Sequence, residues 1–152
     1  MYKIVSAKNL TGDLHEFKIK APHITNRGKA GQFIILRVEK KGERLPLTIA
    51  DVDKVNGILT IVFMAVGHST KKLAKFKEGD ELLDIVGPLG VPTEAHKKYG
   101  TVAVVAGGYG AAPAYLIAKA YKESGNRVYM ILGARNKDLL FWLDKMENAC
   151  DE

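Results

Sequence analysis

A change in hydrophobic grammar near residue 100 constrains this chain more than any other feature. Before it, short runs alternate apolar and polar residues: YKIVSAK (2–8), LHEFKIK (14–20), QFIILRV (32–38), LPLTIAD (45–51), ILTIVFMAV (58–66) and LLDIVG (82–87). A period of two buries one face of a strand and wets the other. The turn-forming clusters TGD, KKGE, KVNG and KEGD punctuate these runs. Several short strands at this spacing favour a closed barrel or a sandwich, because an open sheet would expose pairing edges. One helix is expected in this part, after Gly67, with Ser69 or Thr70 placed to cap it.

From Thr101 the pattern differs. TVAVVA (101–106) is an unbroken apolar run of the kind that suits a parallel strand buried on both faces. Pro113 suits the first turn of a helix, AYLIAKAYKES (114–124) has helical periodicity, and Gly125 can supply a left-handed stop. RVYMILG (127–133) reads as a second strand and DLLFWLDKMENA (138–149) as a second helix that starts at Asp138. The predicted architecture is an antiparallel β-barrel over residues 1–98, followed by a β-α-β-α unit over 99–152, with the junction near HKKYG (96–100).

Composition narrows the function classes. A chain of 152 residues with 47% hydrophobic content can bury a real core. It has no run of about 18 apolar residues and no apolar stretch of the signal-peptide kind at its start, so a soluble, cytoplasmic protein without a membrane span is expected. The single cysteine, Cys150, cannot form an internal disulfide or hold an iron–sulfur cluster alone. The formal charge of +6 comes largely from lysines placed singly or in pairs, without interleaved aromatics, so no nucleic-acid partner is expected. The densest group, KKLAKFK (71–77), spaces Leu73 and Phe76 as a short amphipathic helix would. His15, His23, His68 and His96 are dispersed without ligand spacing, so no metal site is expected.

Three loops carry chemistry. In AGGYGAAP (106–113), Gly107, Gly108 and Gly110 follow a strand and open a helix, where free N–H groups attract an anion; a tight turn needing glycine for steric reasons is the alternative. Proline stands where the usual Gly-x-Gly-x-x-Gly fingerprint ends in glycine, which points to a different dinucleotide scheme. In GERLPLTIAD (42–51), Arg44 offers a guanidinium fork beside an extended Pro-Leu-Thr segment, or is a surface arginine at a hairpin end. In VGHST (66–70), Gly67, Ser69 and Thr70 offer donors to a phosphate, or form a simple helix cap.

Together, GQF (31–33), ERLPLTIAD (43–51), VGHST, GPLG (87–90), GGYGAAP (107–113) and GARNKDLLFW (133–142) resemble the ferredoxin–NADP reductase superfamily, in the order that family uses. The nearest branches are the FAD-bearing small subunits of NADH-dependent ferredoxin–NADP oxidoreductase and the electron-transfer subunits of dihydroorotate dehydrogenase. The resemblance implies a Greek-key flavin barrel and then a nicotinamide-nucleotide domain. It implies that Arg44 contacts the FAD pyrophosphate and that Pro46, Leu47, Thr48, Ile49 and Ala50 line the isoalloxazine and ribityl chain. Val66, Gly67, Ser69 and Thr70 would complete the diphosphate site. Gly107, Gly108, Tyr109, Gly110 and Pro113 would shape the nicotinamide pocket, and Gly133 and Arg135 would meet the adenosine end.

Departures from the family pattern are also legible. Leu47 stands in the region where many members stack a tyrosine on the flavin, His68 where lysine is common, and Tyr109 where an aliphatic residue is usual. The family continues past this length with more nucleotide domain and a cysteine-rich [2Fe–2S] segment, so the expectation is an amino-terminal part of a longer flavoprotein subunit. The implied activity is hydride transfer between NAD(P)H and FAD, with no catalytic side chain of the protein's own. Electrons would pass to an iron–sulfur cluster and a ferredoxin-type carrier, with a larger flavin/iron–sulfur subunit as partner. An incomplete parallel sheet would expose apolar surface and favour a homodimer. The rival class is a non-catalytic flavin-binding or subunit-interaction module.

Overall fold

Each of the six alternating runs becomes a strand, and one of them becomes two. The computed structural model describes residues 1–152. The strands of the first part are β1 (Tyr2–Thr11), β2 (Leu14–Lys20), β3 (Phe33–Arg37), β4 (Arg44–Asp53), β5 (Ile58–Met64), β6 (Glu81–Leu82) and β7 (Asp84–Leu89). They pair in the order β6-β1-β2-β5-β4-β3-β7, antiparallel throughout. The run read as the single strand LLDIVG bends at Leu83, so that β6 pairs with β1 while β7 pairs with β3 at the far end of the sheet. One short segment thereby covers both edges and nearly closes the barrel. The link from β2 to β3 carries a short helix, α1 (Pro22–Thr25), and passes over the places taken by β5 and β4, as a Greek key requires.

Inward-facing positions fill the barrel. Phe17 pairs across with Ile61 and Ile19 with Leu59, while Ile34 lies opposite Leu47. Phe17 and Phe63 meet edge to face at 5.1 Å. Ile4, Phe17, Ile19, Ile34, Leu36, Ile49, Leu59, Ile61 and Phe63 are all buried, and each such side chain contributes about 1.5–3 kcal/mol on leaving water. A bulge at Ala50 shifts the register between Ile49↔Ile61 and Asp51↔Thr60. Without that extra residue Asp51 would face the apolar interior opposite Leu59; with it, Val52 takes that place and Asp51 turns outward.

The second part comprises β8 (Thr101–Gly107), α3 (Ala111–Glu123), β9 (Arg127–Gly133) and α4 (Leu143–Ala149), with 3-10 turns at Gly108–Gly110 and Lys137–Leu139. β8 and β9 are parallel and in register, Val104 opposite Met130 and Gly107 opposite Gly133. α3 packs on one face of this pair and also against β4 of the barrel. Contact on both sides explains its small buried residues Ala111, Ala112, Ala114 and Ala118, which let both surfaces approach closely.

Two readings need correction here. TVAVVA is covered on one face only: Val105 is 71% exposed and its neighbour Ile131 58%. The second helix starts at Leu143 instead of Asp138, because Trp142 adopts a left-handed conformation (φ 56°) that no continuous helix accommodates. No helix is long and apolar enough to cross a membrane.

The second part rests on the outer face of β2, β5 and β4. Trp142 Nε1 donates to Glu16 Oε2 at 2.7 Å, and Asp51 lies 3.5 Å from Lys119 Nζ and 3.3 Å from Lys145 Nζ. Burial is the largest single influence on Lys119 and works against its charge, but Asp51, Tyr115 and Glu123 together outweigh it and the lysine pKa is raised.

Candidate functional site

The segments singled out from the sequence meet at one end of the molecule. β4 runs antiparallel to β5, so Arg44 at its start lies beside the end of β5 and the Val66–Thr70 segment that follows. The Gly108–Gly110 turn packs against β5 as well, and Gly133 is the register partner of Gly107. The carboxyl end of β8 therefore lies beside β5, the neighbour of the strand that carries Arg44, and the carboxyl ends of parallel strands are where α/β sheets bind ligands.

Pleating sorts the residues of β4. Arg44, Pro46 and Thr48 are exposed, while Leu45 and Leu47 turn toward the core. Ile49 and Ala50 are buried. Within Pro46–Ala50, an external ligand would thus meet the side chains of Pro46 and Thr48 and only the backbone of the others. The same outer face continues through Ile35 opposite Pro46 and Phe33 opposite Thr48, and then through Val86 and Leu89 of β7. This is an apolar shelf with an arginine pair at one end, since Arg37 lies directly opposite Arg44. Arg37 Nη2 meets Asp84 Oδ2 at 3.1 Å, but its Nε is buried with no partner.

After β5, Gly67 is the N-cap of α2 (His68–Leu73), and Thr70 caps it from within the helix: the Gly67 N–H donates to Thr70 Oγ1 at 3.0 Å. Ser69 does not cap. Its hydroxyl donates to the Glu43 carboxylate across from the β3–β4 hairpin. Val66 is exposed, and Leu73 anchors α2 in the core.

In the glycine loop the steric reading applies at a single position, Gly108. A methyl group built on Gly107 would come no nearer than 3.6 Å to the Gly133 carbonyl, and on Gly108 or Gly110 it would meet nothing within 4 Å. Packing therefore requires none of the three glycines, and only Gly108, at φ 56°, needs glycine for its backbone. The space around Gly108 and Gly110 is open. Tyr109 stands 58% exposed at its tip, and Pro113 sits in the first turn of α3. Gly133 and Arg135 are exposed at the end of β9.

These observations suit a flavin dinucleotide: an apolar shelf for a flat ring, two arginines and a serine hydroxyl that already donates to an anionic oxygen, and an open glycine turn beside them. Glu43, Arg37, Glu16 and Trp142 were not among the candidate residues. Glu43 and Trp142 lie within ERLPLTIAD and GARNKDLLFW, but nothing local in the sequence marks either as part of a site.

No family model matches the chain. Among curated proteins it is 51% identical over 155 residues to the uncharacterized protein in adh 3′region of Clostridium beijerinckii, covering 98% of this chain and 52% of that one. It is 43% identical over 149 residues to the dihydroorotate dehydrogenase B (NAD(+)) electron transfer subunit homolog of Thermotoga maritima, again covering 98% and 52%. Among solved structures it superposes on an NADH-dependent reduced ferredoxin–NADP oxidoreductase with a TM-score of 0.91 and 41% identity, over 99% of this chain and 54% of that one. The chain has a ferredoxin–NADP reductase-like fold. The resemblance drawn from the motifs holds for the fold and for both branches named above. The chain spans about half the length of the curated relatives it matches.

Proposed function

We propose that this chain is the flavin-binding part of an electron-transfer subunit that moves electrons between NAD(P)H and an iron–sulfur or ferredoxin-type carrier through FAD. The observation that supports this reading is the outer face of β4, with Arg44, Pro46 and Thr48 exposed, the Ser69 hydroxyl held at neighbouring Glu43, and the open Gly108–Gly110 turn against the adjacent strand β5. In this reading residues 1–98 form the FAD domain and 99–152 belong to the nicotinamide-nucleotide domain. Arg44 pairs with the FAD diphosphate, assisted by Ser69 and the backbone of Val66, Gly67 and Thr70. Pro46 and Thr48 support the flavin ring, with Leu47, Ile49 and Ala50 contributing backbone groups. Gly107, Gly108, Gly110 and Pro113 leave room for the nicotinamide, Tyr109 flanks it, and Gly133 and Arg135 face the adenosine end. When bound, FAD supplies the exchange of a hydride for single electrons. The protein binds, orients and shields from water, and its own side chains carry no covalent step. A larger flavin/iron–sulfur subunit and a ferredoxin-type carrier are the partners this activity needs.

One observation favours a second reading. The face of β8–β9 that carries Val105 and Ile131 is an exposed apolar surface of the kind that packs against another part of a protein or a partner. A non-catalytic flavin-binding module fits that feature. The two readings separate in one experiment: record the visible spectrum after adding FAD and removing the excess, then add NADH or NADPH without oxygen. Retained flavin bands that bleach support the electron-transfer reading, and retained bands that do not bleach support the binding module. A protein that stays colourless refutes both. An Arg44→Ala variant should bind FAD at least about ten-fold more weakly, as loss of a charge-assisted contact to phosphate implies.

A further inference from the structure

The hairpin between β3 and β4 is tied to α2 at two points, both through carboxylates. Glu39 Oε2 lies 2.5 Å from Lys72 Nζ, and the Ser69 hydroxyl donates to Glu43 Oε2. The first tie is an ordinary surface ion pair, half exposed on both sides. The second lies where the proposed function puts an anion. Glu43 is adjacent to Arg44 in the chain, and Ser69 belongs to the segment assigned to the diphosphate.

Hydroxyl bookkeeping in that segment leaves little choice. Thr70 Oγ1 is occupied at both lone pair and proton, accepting from the Gly67 N–H at 3.0 Å and donating to the Gly67 carbonyl at 3.2 Å. Ser69 therefore carries the one hydroxyl proton there that a phosphate oxygen could take, and Glu43 holds it. A carboxylate and a phosphate make the same demand on a hydroxyl donor, and as like charges they exclude each other from its neighbourhood. Like charges held this close repel even in bulk water, and more strongly beside a protein surface.

We propose that Glu43 is a gate on the diphosphate end of the flavin site. Its carboxylate takes the place of a phosphate oxygen at Ser69, and it has to swing away as the diphosphate binds. FAD affinity is then a difference between what Arg44 and Ser69 gain and what displacing Glu43 costs. Flavins without a phosphate do not meet the gate. This inference rests on the diphosphate assignment of Arg44 and Ser69, and it adds a residue that opposes binding to residues that support it.

The test is a set of flavin-fluorescence quenching titrations on the full chain with FAD and with riboflavin, which has the ring but no phosphate. Glu43→Gln keeps the shape and removes the charge; Glu43→Ala serves if the glutamine variant melts early by circular dichroism. Removing the gate should tighten FAD binding about ten-fold and leave riboflavin binding unchanged. Unchanged or weaker FAD binding would overturn the gate, since Glu43 would then be neutral or a support. An equal gain for riboflavin would also overturn it, because the effect would not lie at the phosphates. Failure of the underlying assignment looks different: Arg44→Ala binds FAD as tightly as the parent, or neither the parent nor a Glu43 variant binds FAD. Either result removes the diphosphate site and the gate with it.

Discussion

Replacing Trp142 with phenylalanine would test how the two parts of the molecule are held together. Trp142 Nε1 donates at 2.7 Å to Glu16 Oε2, and Glu16 is only 5% exposed although it carries a carboxylate. The indole also lies 3.9 Å below Lys145 Nζ, and it meets Tyr115 edge to face at 5.6 Å. Phenylalanine keeps an aromatic face and most of the packing but deletes the N–H. A hydrogen bond to a charged group is worth about 1.5–3 kcal/mol, and removing one partner leaves the other buried and unsatisfied. Weaker attraction of Lys145 to a phenyl ring adds roughly 0.5 kcal/mol. The left-handed backbone of residue 142 stays in both proteins, so its strain cancels from the comparison. The expected loss is about 2–3.5 kcal/mol.

Urea unfolding followed by far-ultraviolet circular dichroism measures this directly, since the variant has no tryptophan left to report. A Glu16→Leu substitution should restore part of the loss in the Trp142→Phe background, because replacing both polar partners is far less costly than orphaning one. A Trp142→Phe protein within about 0.5 kcal/mol of the parent would refute the reasoning, and show that water reaches Glu16.

Two further outcomes follow from the geometry. A methyl group on Gly31 would lie 2.3 Å from Thr93 Oγ1 and 2.9 Å from the Thr93 backbone nitrogen, at φ 85°, whereas on Gly12, at φ 51°, it would meet nothing within 4 Å. Gly12→Ala should therefore cost only the left-handed penalty of about 1–2 kcal/mol, and Gly31→Ala clearly more, as read from thermal or urea unfolding. In Asp151 the N–H of Val128, at 2.8 Å, holds the carboxyl below its usual pKa; burial opposes it with a smaller effect, and Lys122 and Arg127 add to the lowering. A depressed folded-state pKa contributes stability above the unfolded value of about 3.9 that disappears as pH falls through the lower folded value. Asp151→Asn should be less stable than the parent at pH 5, with the gap closing toward pH 2 in acid-dependent unfolding curves.

Much of the fold was legible because hydrophobic period is a local property. The alternation of Phe17, Ile19, Ile34, Leu36, Leu59 and Ile61 with polar neighbours marked strands, and the glycine turn before AYLIAKAYKES marked a strand-to-helix joint. The arginine, the VGHST segment and the glycine loop were identifiable for the same reason, since each depends on residues adjacent in the chain. What only the tertiary structure decided concerns which surfaces meet. LLDIVG alternates like one strand, and nothing in it says that its two halves pair with opposite edges of a sheet. TVAVVA reads as buried on both faces, but burial requires a second layer, and α3 covers one side alone. Glu16 alternates out of the core and reads as a solvated residue; it is buried because Trp142, 126 positions away, lies over it. Glu43 likewise reads as one more hairpin charge until folding brings Ser69 to its carboxylate. Short-range pattern specifies which way a side chain points, but whether water, protein or ligand waits there depends on long-range packing, which no local window contains.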